Sequence, residues 1–250
     1  MVQIVKDITR GKIHSAYAIE AFDKAKEALE SNGYRVISLE ENAGLRVKHG
    51  ANSSISKIGN WVREGFIHVP NKGAFSTKDS PIMENAKEAT DCHRNGNEFY
   101  LNDEQVEKSL ADSVKIGKTE IPTSRFAEEE LTAFAFGKNA KAYGEFLKEN
   151  GIDSIRAYLC NATNKPFARQ AWLYGMGGGG GSNLDGWYLD YGDGEVRGVR
   201  ASANSKGASS VRKIEAPKVE AYTLKDIHAA LESLKLTGLE SQVLEALRKK

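Results

Sequence analysis

The segment 185–200 holds the densest set of reactive side chains in the sequence: Asp185, Asp190, Asp193 and Glu195, followed by Arg197 and Arg200. Carboxylates on a β-ribbon can hold Mg2+, and a nearby cation can offset the charge that builds on a phosphoryl group. Asp185, Asp190 and Glu195 are therefore the candidate catalytic set, for metal-dependent cleavage of a phosphodiester. Asp193 stands in a Gly-Asp-Gly turn and has a conformational reason to be there. Alternation along 195–201 places Glu195 and Arg197 on one face of a strand and Arg200 on the other, so the two arginines do not form one clamp.

The order Asp185 … Glu195-Val196-Arg197 loosely resembles the metal site of the restriction-endonuclease-like fold. The resemblance implies a Mg2+ site and nuclease chemistry. Arginine stands where that site has lysine, and arginine cannot deprotonate to assist a water.

Three other stretches carry chemical potential. The run Gly175-Met-Gly-Gly-Gly-Gly-Gly-Ser182 could bring backbone N–H groups near a phosphate, but it lacks the lysine of a P-loop and leads into a hairpin, so it reads as a flexible linker or gating loop. Asp91-Cys92-His93-Arg94 sets a thiol next to an imidazole. On a helix, neighbours point about 100° apart, so the two do not form a nucleophile and base. In Lys165-Pro-Phe-Ala-Arg169-Gln-Ala-Trp172, helical spacing would set a cation beside an indole. The two cysteines, Cys92 and Cys160, have no partner spacing for zinc and read as free thiols of a reducing compartment.

Net charge is +1, but it is unevenly spread. Residues 44–78 carry +5, residues 79–133 carry −7, and residues 156–213 carry +4. Two basic regions flanking an acidic one can fold into a positive face that attracts phosphates. The candidate ligand-binding residues on that face are Arg46, Lys48, Lys57, Trp61, Arg63, Lys165, Arg169, Arg197 and Arg200.

The elements that must position these groups follow from periodicity and punctuation. Ser15 and the stripe Ala18, Phe22, Ala25, Leu29 predict a helix over 15–31. Runs at 34–39 and 45–49 predict a hairpin, and 66–69 a further strand. A helix is expected from Ser80-Pro81 to about Arg94, another from Asp103, and more between 131 and 150. Residues 155–160 read as a buried strand, 166–175 as a short helix, and 187–191 with 195–201 as a second hairpin. Leu224, Ile227, Leu231 and Leu234, then Leu239, Val243, Leu244 and Leu247, predict a helical hairpin at the C-terminus.

The expected fold is α+β, with mixed α/β as a variant: a small sheet with two hairpins, a central helical block and the C-terminal helical hairpin. The expected division is one domain over 1–215, with mobile loops at 50–60, 175–183 and 202–213, and the hairpin over 216–250. No apolar run approaches the ~20 residues of a membrane span, and the N-terminus lacks a secretory pattern, so a cytoplasmic protein with no membrane partner is expected. The leading functional expectation is binding of a phosphate-bearing ligand, nucleic acid or nucleotide, through the basic face. The alternatives are a Mg2+-dependent nuclease using the candidate carboxylates, and a non-catalytic assembly or adaptor protein docking through the C-terminal helices.

Overall fold

The computed structural model describes residues 2–9, 12–161, 163–177 and 181–200. The C-terminal hairpin, the Ser/Gly-rich 202–213 stretch and the proposed boundary at 215 lie outside the described residues.

The chain opens with β1 (Ile4–Thr9) and β2 (Lys12–Ile19), then α1 (Phe22–Ser31), β3 (Tyr34–Val36), α2 (Leu39–His49) and the single turn α3 (Ser54–Lys57). The long β4 (Asn60–Val69) and β5 (Gly73–Thr77) follow, then α4 (Ala86–Arg94), β6 (Phe99–Tyr100), α5 (Asp103–Ala111), β7 (Ser113–Lys115) and β8 (Glu120–Pro122). The remainder is α6 (Glu130–Phe136), α7 (Ala140–Glu149), β9 (Ser154–Tyr158), β10 (Phe167–Leu173), β11 (Leu184–Trp187) and β12 (Glu195–Arg200). The strands form one mixed sheet in the order β1-β2-β12-β4-β10-β11-β9-β8, with β3 beside β12, β5 and β6 on the flanks of β4 and β10, and β7 beside β5. The fold is α+β, as expected, but the sheet has twelve strands among the described residues in place of the small one expected, because strands covered on both faces lack the alternation that marks them in sequence.

Two apolar cores cover opposite faces of the central strands. One holds Val62, Phe66, Ala171, Leu173 and Leu184 against Phe126, Phe136, Tyr143 and Leu147 from the α6–α7 side. The other holds Trp61, Ile67, Ala168 and Val196 against Phe22, Leu29 and Ala89 from α1 and α4. Strands covered on both faces lose the alternation that marks a half-buried strand. That is why residues 166–175, expected as a helix, are instead the buried strand β10, paired with β4 on one side and β11 on the other.

Three other expectations change. Ser15 is not a helix cap. It is a buried residue of β2 whose hydroxyl donates to Asp7 (2.9 Å), and the helix starts at Phe22. Residues 45–49 are helix, not strand. Ser38 and Glu41 make a reciprocal capping box, with the Glu41 N–H donating to Ser38 Oγ (3.2 Å) and the Ser38 N–H to Glu41 Oε2 (3.1 Å). That cap starts α2, and the helix runs on through the link between the two expected hairpin strands. Finally, β11 and β12 are not a hairpin: β10 and β4 lie between them, and residues 188–194 span that gap.

Candidate functional site

The register of the sheet sets a row of aromatic side chains on its outer part. Trp172 of β10 pairs with Asp185 of β11, Gln170 with Trp187, and Tyr158 of β9 with Asp185. Residues directly opposite share a face, so Tyr158, Trp172, Asp185 and Trp187 emerge together. Tyr174 follows two residues after Trp172, and Tyr191 comes over from the 188–194 loop. Trp172 and Trp187 lie 6.2 Å apart at 30°, Tyr174 meets Trp187 edge-on at 5.7 Å, and Tyr191 tilts onto Trp187 at 5.6 Å. These four rings line an open cleft of about 530 Å³, with Lys57 and Asp193 at its rim.

Glycines make the floor possible. A Cβ on Gly194 would sit 2.0 Å from the Trp61 ring, one on Gly175 2.0 Å from the Lys57 carbonyl oxygen, and one on Gly59 2.7 Å from Trp172 Nε1. Trp61, fully buried, meets Trp172 edge-on at 5.1 Å and so joins the cleft rings to the core. The 188–194 loop is fixed at both ends. Buried Leu189 donates its N–H to His93 Nδ1 (3.0 Å) and accepts from the Phe22 N–H (2.9 Å), while the Gly194 carbonyl accepts from the Glu20 N–H (3.1 Å). Burial, helped by the nearby Arg169 charge, lowers the His93 imidazole to about 3, so it stays a neutral acceptor.

The other wall of the cleft begins at the glycine run. Arg46, fully buried, brings one terminal nitrogen to the Tyr174 carbonyl oxygen (2.9 Å), Ser182 Oγ (3.0 Å) and Tyr143 Oη (3.0 Å). It thus holds both ends of the run. Ser182 adopts a left-handed conformation (φ 59°), and the Met176 N–H donates to the Ser56 carbonyl (2.7 Å). Within the cleft, the Tyr174 hydroxyl donates to Asp185 Oδ2 (3.3 Å). Burial pushes the Asp185 carboxyl up from its ordinary value. Burial and the neighbouring Asp185 push the Tyr174 phenol up as well, which keeps it a donor.

The expected basic face does not assemble. Arg46, Arg169 and Arg197 are buried. Arg169 forms a two-pronged ion pair with Glu98 and lies 3.9 Å from the Tyr188 ring centroid. Arg197 pairs with Asp7 and with buried Glu195 (2.6 Å), and donates to Ser54 Oγ (3.1 Å). Arg63 is half-buried and paired with Asp79. Trp61 is core. Lys48, Lys57, Lys165 and Arg200 are exposed, but Lys165 lies over Tyr100 (5.6 Å) and Arg200 over Tyr34 (5.8 Å), on different strands.

Nor do the candidate carboxylates make a metal centre. Asp185 faces the cleft on β11, Asp190 is exposed in the 188–194 loop, and Glu195 is buried on β12 against Arg197. With two strands between β11 and β12, Asp185 and Glu195 stand about 14 Å apart at ~4.8 Å per strand. Among the described residues no group of three or more His, Cys, Asp or Glu could hold a metal ion, so the Mg2+ expectation finds no fitting donor set. No helix among them is long and apolar enough to cross a membrane.

No family model matches the sequence, and no curated protein matches it. A solved structure does, one that concerns the accommodation of massive sequence variation in Nanoarchaeota by the C-type lectin fold. It is 15% identical, with a TM-score of 0.59, and the match covers 78% of this chain and all of that one. The likeness identifies the architecture as a C-type lectin fold. It overturns the functional expectation drawn from charge: the neighbour's fold is not that of a nucleic-acid-binding protein or a nuclease, and three of the arginines invoked for that role, Arg46, Arg169 and Arg197, are buried. The aromatic cleft is not among the sequence expectations. Its signal is the spacing Trp172-x-Tyr174 and Trp187-x-x-x-Tyr191 on either side of the glycine run.

Proposed function

We propose that the protein is a recognition module that takes its ligand on the aromatic cleft formed by Trp172, Tyr174, Trp187 and Tyr191. One observation carries this reading: large rings gathered at the surface over a floor that only glycines permit. Clustered exposed aromatics on a soluble protein mark interaction sites. Trp and Tyr supply broad contact area at low entropic cost, and they dominate binding hot spots. The neighbouring structure concerns a fold that accommodates massive sequence variation. In this chain an ionic and apolar interior lies beneath a separate aromatic face, which supports the reading.

The test is a titration of the full chain with panels of oligosaccharides and peptides, followed by NMR of the three indole N–H signals. The expected result is a ligand that shifts the Trp172 and Trp187 signals and loses binding when Trp187 and Tyr191 are both replaced by alanine. A ligand whose affinity is unchanged by that double replacement overturns the reading.

A further inference from the structure

We infer that the cleft's ligand is an arginine-bearing polypeptide segment, whose guanidinium lies flat on the Trp187–Tyr191 rings and pairs with Asp193. The inference rests on the recognition reading above and names its ligand class.

The first support is charge. Asp190 and Asp193 are exposed, Asp185 is half-buried, and none of the three forms an ion pair among the described residues. The cleft lining carries one carboxylate, Asp193, and one cation, Lys57, while Asp185 on the same face of the sheet and Asp190 in the same loop add negative charge nearby. Unpaired carboxylates beside aromatic faces favour a cationic ligand over an anionic one.

The second support is geometry. The 6.2 Å between the Trp172 and Trp187 centroids leaves no room for a group between the rings, because two contacts of about 3.5 Å need roughly 7 Å. A ligand must lie on the rings. A guanidinium is planar, weakly hydrated and stacks on aromatic faces while its N–H fork pairs with a carboxylate; an ammonium does the second but not the first.

The third support is that the molecule uses this arrangement twice internally. Arg169 lies 3.9 Å from the Tyr188 centroid with its fork on Glu98. Arg197 lies 4.9 Å from the Tyr17 centroid with its fork on Asp7 and Glu195. The Tyr191–Trp187–Asp193 set offers the same ring-and-carboxylate pair, three residues along the same loop from Tyr188, without an arginine in it among the described residues.

The experiment titrates the full chain with an acetylated, amidated Arg-Gly repeat peptide, its citrulline counterpart and chitotetraose, reading the Trp187 indole signal and affinity. The arginine peptide should bind at least about tenfold more tightly than the citrulline peptide, which keeps the shape and loses the charge. Asp193→Asn, at an exposed position that leaves the fold intact, should weaken it several-fold. Raising salt from about 50 to about 500 mM should weaken it further. Equal affinity for the arginine and citrulline peptides, or an arginine-peptide affinity that Asp193→Asn does not change, overturns the inference. Chitotetraose shifting Trp187 while the arginine peptide does not overturns the ligand class and leaves the recognition reading standing. Arginine-peptide binding that survives replacement of both Trp187 and Tyr191 by alanine sinks both.

Discussion

The interior and the cleft of this protein invert the usual distribution of side chains. In the interior, Arg46, Arg169 and Arg197 are buried with carboxylates, hydroxyls and carbonyls around them. At the cleft, tryptophan and tyrosine face water, and Tyr191 is close to half exposed. Buried ion pairs are rarely the most stabilising solution, since desolvation offsets much of their attraction, but they demand one geometry. Exposed rings do little for the fold and offer much to a partner. Charge here specifies the scaffold, and aromatic surface serves the ligand.

The largest effect should come from breaking an interior pair. Arg197→Met leaves Asp7 and Glu195 without their shared partner and should cost about 3–5 kcal/mol in urea unfolding. A loss under about 1 kcal/mol would mean that the interior charges are not what fixes the scaffold. Next is the floor between the two regions. Gly194→Ala drives a methyl into the Trp61 ring and should cost about 1–3 kcal/mol, with the Trp172 indole signal moving as well.

Dependent on pH is the contribution of buried Glu64. It accepts from the Leu39 N–H (2.8 Å), and burial pushes its carboxyl up to about 8. A carboxyl raised on folding stabilises when protonated, so stability should decline as pH rises from the unfolded value, about 4.5, toward 8. Glu64→Gln keeps an acceptor for Leu39 and should flatten that slope in a series of denaturation midpoints. His93 has the opposite sign: its lowered imidazole contributes stability above about 6.5 that fades as pH falls toward 3, loosening the 188–194 loop. The least effect on stability belongs to the rim. Tyr191→Ala should change unfolding by no more than about 0.5 kcal/mol while weakening ligand uptake strongly. A fall in stability comparable to that of Gly194→Ala would erase the distinction between scaffold and surface.

Much of the fold was legible where one face of an element meets water. The α1 stripe, the Asn-Gly stop at 150–151 and the strand after it all follow from period and punctuation. β10 was not, because cores on both faces remove its alternation and the Arg169–Trp172 spacing imitates a helix. α2 was missed for a different reason. The Ser38…Glu41 pair announces a helix start, but the β-rich residues on either side outweighed it. The site was less legible still. A sequence shows that Arg46, Arg169 and Arg197 are charged, but their long-range partners Ser182, Glu98 and Asp7 become neighbours only on folding. Trp172 and Trp187 were visible as residues, but not as a pair, because the contact depends on a strand register with the glycine run between them.

Arg46 clasps the chain at Tyr174 and again at Ser182, on either side of the glycine run. Loss of Arg46 would therefore release Tyr174 and Ser182 together, so a single substitution reaches the chain just after β10 and just before β11 at once.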